Sequence, residues 1–430
     1  MVALPDSLTT AGGVPPELAG AGTDVRTAGP ADTAGGKQAR YVAAPASAAE
    51  AAALLSAAAS LGLTVVARGS GTKLDWGTAP ARCDLIVDTR RLDRVLEHAA
   101  GDLVVTVQSG VRLDDLATVL AAADQRLALD PPESAGTIGG LIATGAAGPL
   151  RYRYGSPRDL LIGITVVRPD GTIAKSGGKV VKNVAGYDLG KLFAGSLGTL
   201  GLITEATFRL HPRPQTSAWL TRDYPSTSAA ASAVHAIADS PVTPAAIELE
   251  WPSAAAPISV SALLEGEEAS VQERAGRLNA ILDRAMTGQS PGRPLADGRE
   301  RPGTLLRVAF WAGQLAAVLD LIRGAAAANG LDPAVGGAAA AGLLEIAVTA
   351  DAETEAVGGF VAALRASLQG LGAGSLPPLA ASAVVVTAPA AVRDAVDLWG
   401  PVPSLALMRA VKYQFDPDHR MAPGRFAGGI

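Results

Sequence analysis

The sequence has one cysteine, Cys83, and four histidines in 430 residues. A lone cysteine cannot close an intramolecular disulfide, and by itself it cannot hold an iron–sulfur cluster or a thiolate-rich zinc site. His98, His211, His235 and His419 are scattered, with no pair at metal-ligand spacing. Aromatic residues make up only 4% and charged residues 18% of the chain, yet hydrophobic residues reach 48%, far from a disordered composition. The formal net charge of -5 comes without clustered Lys and Arg, which excludes a general nucleic-acid binder, because phosphate neutralisation requires such clusters.

Long apolar runs are also missing. The most membrane-like window, residues 48–67, is broken by Glu50, Ser56, Ser60 and Gly62 and reads as a helix turning into a strand, so any membrane contact is expected to be indirect. Met1-Val2-Ala3-Leu4-Pro5 lacks the basic region and apolar core of a signal peptide, and a cytoplasmic location is the expectation. Two nucleotide signatures fail on spacing. Leu74 stands where a dinucleotide fingerprint begun at Gly69 and Gly71 needs its third glycine, and Gly178-Lys179 is followed by Val180 rather than Ser or Thr, with Ile173 where a phosphate loop needs its first glycine.

A chain of this length exceeds what one core usually supports, so two domains are expected. Residues 1–37 are rich in Gly, Pro, Thr and Ala without an apolar period and read as a poorly ordered leader. Ser47 offers an N-cap to an alanine-rich helix ending near Gly62, followed by a strand over 63–67. Strands are expected at 85–87, 103–107, 161–167 and 202–210, with a helix over 113–123. His211-Pro212-Arg213-Pro214 closes this first domain. Beyond it, strands at 246–250, 258–264, 305–311, 343–349 and 383–387 alternate with helices at 267–286, 314–329 and 354–368, and 288–303 reads as a loop. No internal sequence repeat is evident. A helix over 407–415 precedes the tail.

The chemistry lies in four stretches. The first, Arg68-Gly69-Ser70-Gly71-Thr72-Lys73, follows a strand. Its glycines permit close ligand approach and positive φ, and its successive N–H groups suit a diphosphate, with Arg68, Thr72 and Lys73 as added donors. Taken alone it fits a tight surface turn equally well. The second, residues 130–148, carries five glycines between positions 136 and 148. Each would cost about 1 kcal/mol relative to alanine inside a helix, so close packing or ligand contact must justify them. The third runs from Gly177 to Leu189, and the fourth from Leu192 to Thr204.

Together these stretches resemble the FAD-binding domain of the vanillyl-alcohol oxidase and p-cresol methylhydroxylase (PCMH) superfamily, over about residues 38–214. Thr137-Ile138-Gly139-Gly140, Gly145-Ala146-Ala147-Gly148-Pro149, 182–189 and 195–201 are most similar to the E-type FAD-binding subunits of bacterial glycolate oxidases. The resemblance implies an α+β chain: a two-part FAD-binding PCMH-type domain over 38–214, then an α+β, ferredoxin-like cap over 215–430. Carried over by position, it implies that Arg68, Gly69, Ser70, Gly71, Thr72, Lys73 and Leu74, with Asp130, Pro131, Pro132, Glu133 and Ser134, face the pyrophosphate and ribityl portions. Thr137, Gly139, Gly140, Thr144, Gly145, Ala146, Ala147 and Gly148 would run beside the flavin. Gly198, Thr199, Gly201, Leu202 and Ile203 would lie near the adenine half.

Two departures shape the functional expectation. Thr72 stands in a loop where some relatives carry a histidine bonded to the cofactor, which implies noncovalent FAD. The histidine cluster found in the cap of relatives that oxidise 2-hydroxy acids on their own is missing, so no catalytic base is assigned. Lys182 and Tyr187 are the polar candidates to line the flavin, with a salt bridge and a core edge as their plainer roles. In the tail, Ala422-Pro423-Gly424 departs from the family's Asn-Pro-Gly, and docking toward the flavin domain is expected. The resemblance implies three functions: a flavin subunit oxidising glycolate to glyoxylate, an FAD-binding relay or assembly subunit, or an independent dehydrogenase of another 2-hydroxy acid or alcohol. It also implies a D-type flavin subunit and an iron–sulfur F-type subunit as partners.

Overall fold

The computed structural model describes residues 13–132, 135–178, 188–282, 303–371 and 381–430, and the backbone of 286–288. The first sheet contains β1 (Asp24–Thr27), β2 (Tyr41–Ala44), β3 (Val65–Arg68) and β4 (Leu85–Asp88) in the order β1-β2-β4-β3. β4 is buried along its length and pairs in parallel with β2 and β3, as its run Leu85-Ile86-Val87 requires of a strand covered on both faces. Helix α1 (Ala48–Ser60) connects β2 to β3. Ser47 Oγ accepts from the Glu50 N–H, which satisfies one of the donors a helix start leaves open, and the Glu50 carboxylate reaches back to accept from the Ala46 N–H just before the cap. Its Leu54 and Leu55 are fully buried, each contributing about 2 kcal/mol relative to exposure.

Of the expected leader, residues 13–37 are more ordered than their composition suggests. β1 pairs antiparallel with β2 from Asp24↔Ala44 to Thr27↔Tyr41, and Asp32 binds the guanidinium groups of Arg26 and Arg68. Backbone pairing and ion pairs supply the order that a missing apolar period does not.

The second sheet contains β5 (Val95–Ala99), β6 (Val104–Gln108), β7 (Leu161–Val167), β8 (Ile173–Gly177) and β9 (Leu202–Arg209), antiparallel throughout in the order β8-β7-β9-β6-β5. Helices α2 (Leu113–Ala121) and α3 (Ile138–Thr144) share its core through Leu116, Leu120, Ile138 and Ile142. Leu103 adopts φ 55 just before β6, so that strand starts one residue later than expected.

The cap is an eight-stranded sheet of two topologically equivalent halves. The first runs β10 (Thr216–Tyr224), α4 (Thr227–Ala238), β11 (Ala246–Trp251), β12 (Ile258–Gly266), α5 (Glu268–Ile281), β13 (Met286–Gly288). The second runs β14 (Thr304–Ala309), α6 (Leu315–Ala328), β15 (Ala334–Gly337), β16 (Leu343–Val348), α7 (Thr354–Gly370), β17 (Ser382–Thr387). The strand order β13-β10-β12-β11-β15-β16-β14-β17 places the second strand of each half at the centre, joined by the antiparallel pairing of β11 with β15. Thus the topology repeats where the sequence does not. The helix expected over 267–286 stops at Ile281, and Met286 belongs to β13, which pairs with β10 along its edge. β10 and α4 were not anticipated, because β10 is mixed in burial and shows no clean alternation.

The tail returns to the first sheet. After α8 (Leu405–Phe415), the Val65 N–H donates to Arg420 O and the Ala422 N–H to Val65 O, each at 2.8 Å. The expected docking is therefore a backbone pairing along β3, and it does not need the asparagine that Ala422 replaces.

Candidate functional site

Where the strands of the two N-terminal sheets end, their loops line a cleft that is open to solvent at its mouth. The loop after β3 contributes Gly69, Ser70, Gly71, Thr72, Lys73 and Leu74. Facing it are Pro131, Thr137, Gly139, Gly140 and Thr144, and the third wall is Gly198, Gly201, Leu202 and Ile203. Three stretches more than 50 residues apart in sequence thus meet at one place.

Glycine is required at the contacts between these walls. A β-carbon at Gly69 would lie 2.1 Å from Thr137 Oγ1, and one at Gly139 would lie 2.9 Å from Ser109 Cβ; neither space admits a side chain. Gly71 and Gly198 adopt φ 80 and 77, a region L side chains rarely enter. The first N–H groups of α3 are already engaged: Ile138 N–H donates to Val111 O, Gly139 N–H to Ser109 O, and Gly140 N–H to Thr137 Oγ1. This helix start therefore fixes the wall in place.

Several expected residues lie away from the cleft. Arg68 turns its guanidinium to Asp32 at 2.8 Å and Asp88 at 3.0 Å. The hydrogen bond from Arg26, joined by that from Arg68, holds the Asp32 carboxyl below the usual carboxylate range. Burial opposes ionisation of Asp88, but hydrogen bonds from Arg90 and Arg68 outweigh it and keep this carboxyl low as well. Asp130 accepts from the Leu150 N–H at 3.1 and 3.2 Å, and Gly148 sits so close that a β-carbon there would meet Asp130 O. Gly145 caps α3 with φ 62, Ala146 packs with Trp76, Leu141, Leu305 and Val386, and Ala147 is buried. Thr199 donates to Ser196 O, and its own carbonyl accepts from Lys412 Nζ. Pro132 does not line the cleft. Glu133, Ser134, Lys182 and Tyr187 lie outside the described residues.

The cleft also contains residues that sequence reasoning passed over. Thr89 and Ser109 line it, with exposures of 5% and 0%. Each is a single hydroxyl near a strand end, with no pattern to signal it. Arg425 arrives from the tail, and its guanidinium donates to Lys73 O at 2.9 Å, Leu74 O at 3.1 Å and Trp76 O at 3.4 Å. Burial lowers its pKa to about 10, so it remains a cation at neutral pH. Lys412, fully buried, ties the tail down through Asp416, Thr199 O and Met421 O.

None of the four histidines lines the cleft among the described residues. His98 Nε2 pairs with Gln125 Oε1 at 2.9 Å and His235 Nε2 with Ala312 O at 3.0 Å. His211 stacks edge-on with Tyr154, and burial lowers its pKa. The His419 N–H donates to Asp416 O. No group of three or more His, Cys, Asp or Glu among the described residues forms a metal centre.

Residues 39–177 match the family model described as the FAD binding domain. The chain is 39% identical over 188 residues to the glycolate oxidase subunit GlcD of Bacillus subtilis (strain 168), covering 43% of this chain and 39% of that protein. It is 37% identical over 161 residues to the glycolate oxidase subunit GlcE of Escherichia coli (strain K12), covering 37% of this chain and 45% of that protein. The matches thus span about two fifths of the length of these relatives. Among solved structures, an alkyldihydroxyacetonephosphate synthase aligns with a TM-score of 0.67 at 18% identity, covering 91% of this chain and 78% of that one, a likeness of fold. The chain therefore carries an FAD-binding domain of the PCMH type, and its cofactor is FAD. The cleft suits this group on its own atoms: Gly71 and Gly198, both at positive φ, line it with bare backbone, and a β-carbon at Gly198 would stand in open space, while the buried Ser109 Oγ has no partner among the described residues.

Proposed function

We propose that this chain is the FAD-binding subunit of a glycolate oxidase or dehydrogenase assembly, in which a 2-hydroxy acid, glycolate, is oxidised at its CH–OH carbon. The convergence of Gly69, Thr137, Gly139 and Gly201 on one cleft carries this reading, and the similarity to two glycolate oxidase subunits supports its substrate class. When bound, FAD supplies the acceptor for the hydride that leaves C2 as the hydroxyl proton departs. Residues 69–74 and 137–144 would hold the cofactor without a covalent bond, since position 72 is threonine. Arg425 would keep the first of these loops in its binding shape. With one cysteine, electrons pass onward to another chain or acceptor. The partners in this reading are a D-type flavin subunit and an iron–sulfur F-type subunit, in the cytoplasm or peripheral to the membrane's inner face. No helix among the described residues is long and apolar enough to cross a membrane. We read the cap as two ferredoxin-like units joined edge to edge, supported by the β-α-β-β-α-β order of each half.

A second reading, an FAD-binding relay or assembly subunit, draws support from the positions of the four histidines, each away from the cleft. An independent dehydrogenase of another 2-hydroxy acid or alcohol is a third. Anaerobic addition of glycolate to the FAD-loaded chain separates them. Bleaching of the flavin band in the isolated chain supports substrate oxidation here. Bleaching only after a D-type chain is added supports the relay, and bleaching by a different hydroxy acid supports the third. A purified chain that shows no flavin absorbance after reconstitution would sink all three.

A further inference from the structure

We propose that Ser109 is a hydrogen-bond donor to bound FAD, its hydroxyl meeting an oxygen of the diphosphate–ribityl stretch within the cleft. The inference rests on FAD occupying this cleft and adds a residue that neither the glycine motifs nor the family resemblance assigns. Ser109 lies between β6 and α2 with 0% exposure, and its Oγ has no hydrogen-bond partner among the described residues. A buried hydroxyl left without a partner costs about 1–3 kcal/mol, so a partner from outside the chain is the expected resolution.

The main chain holds this side chain firmly. Ser109 N–H donates to Thr204 O at 2.9 Å, and Ser109 O accepts from the Gly139 N–H at 2.7 Å. The space beside its β-carbon is taken by the Gly139 backbone, where a second β-carbon would come within 2.9 Å. The hydroxyl therefore belongs to a fixed part of the cleft lining, which also includes Thr89, Gly69 and Thr137. Glycine N–H groups and hydroxyls are donors suited to oxygens of a dinucleotide, and Ser109 adds one more to the lining.

The test uses the full chain with Ser109→Ala, which keeps the β-carbon and removes only the oxygen. FAD affinity, read by flavin fluorescence during titration of the apoprotein, is expected to fall about tenfold, as for one lost hydrogen bond to a ligand oxygen. The thermal midpoint of the apoprotein is expected to hold or rise, because the variant removes a buried hydroxyl that lacks a protein partner. The same loss of affinity for ADP as for FAD would place the acceptor on the diphosphate, and loss for FAD alone would place it on the ribityl side; both outcomes support the assignment. FAD affinity within twofold of wild type would overturn it, leaving the hydroxyl to a buried water. An apoprotein midpoint that drops in parallel would overturn it too, by showing a structural role. Failure of the wild-type chain to take up FAD would instead reject the cofactor reading itself.

Discussion

The α-carbon of Gly69 faces Thr137 so closely that a β-carbon at position 69 would lie 2.1 Å from Thr137 Oγ1. Two glycine-bearing stretches nearly seventy residues apart in sequence are locked against each other at this contact, and the cleft lies between them. Gly69→Ala should force the walls apart and weaken FAD binding by at least tenfold. Gly140→Ala, where a β-carbon would stand 3.3 Å from the same oxygen, should weaken it less. Flavin retention on gel filtration and FAD titration check the order, and equal losses at both positions would show that the contact does not set the cleft's width.

How far the site was legible follows from how each residue declares itself. Gly69, Gly71, Gly139 and Gly140 stood out because dense glycine is costly without a reason, and they line the cleft. Arg68 was attractive as a cation beside a phosphate loop, but Asp32 and Asp88 take its guanidinium, and pairing across the fold cannot be read from a local window. The same limit hid Arg425, about 350 positions from the carbonyls it binds. The alternation of strands and helices in the cap was visible from apolar periods. Its two-fold repeat was not, because equivalent strands share topology without sharing residues.

Arg425 gives the tail a measurable task. Arg425→Ala would leave the carbonyls of Lys73, Leu74 and Trp76 without this buried donor, a loss of about 3 kcal/mol in stability. FAD affinity should fall with it, because residues 73 and 74 line the cleft. Arg425→Lys should recover part of the stability but not the forked contact. Urea unfolding with and without FAD tests both, and an alanine variant with unchanged FAD affinity would separate the tail from the site.

Acid should weaken the first sheet through Asp32. Its carboxyl is held below the ordinary range by Arg26 and Arg68, so the folded state releases this proton more readily than the unfolded chain. The resulting stability is fully present above the unfolded value, near pH 4, and is lost as pH falls through the folded value. The stability gap between wild type and Asp32→Asn should therefore be constant from pH 7 to 5 and shrink toward pH 2.5. Unfolding curves across that range decide it; a gap that widens in acid would contradict the assignment.

Cys83 offers a chemical probe of the same region. Burial, followed by the charge of Asp84, pushes its thiol pKa up to about 11. At pH 8 the thiolate is scarce and screened from reagent, so alkylation of the native chain should be at least a hundredfold slower than in 6 M urea. Rapid modification by iodoacetamide in the native state would mean that the sheet opens at Cys83.

The cap is joined to the flavin domain by an ion pair whose worth can be measured. Arg126 donates to Glu265 through both terminal nitrogens, at 2.7 and 2.5 Å, and Tyr154 OH donates to the same carboxylate at 3.2 Å. Burial works against the Arg126 charge, and Glu265 more than offsets it. With Glu265 removed, a mostly buried guanidinium whose Nε has no partner among the described residues would lose its counter-charge. Glu265→Ala should therefore cost about 3–5 kcal/mol, whereas Arg126→Met combined with Glu265→Leu should stay within about 2 kcal/mol of wild type, since apolar packing replaces a desolvated pair at little net loss. Urea unfolding of the three proteins gives the coupling directly. If the single variant is no worse than the double, the pair is dispensable to the junction, and the cap is held instead by contacts such as that of Leu305 with Trp76 and Leu141.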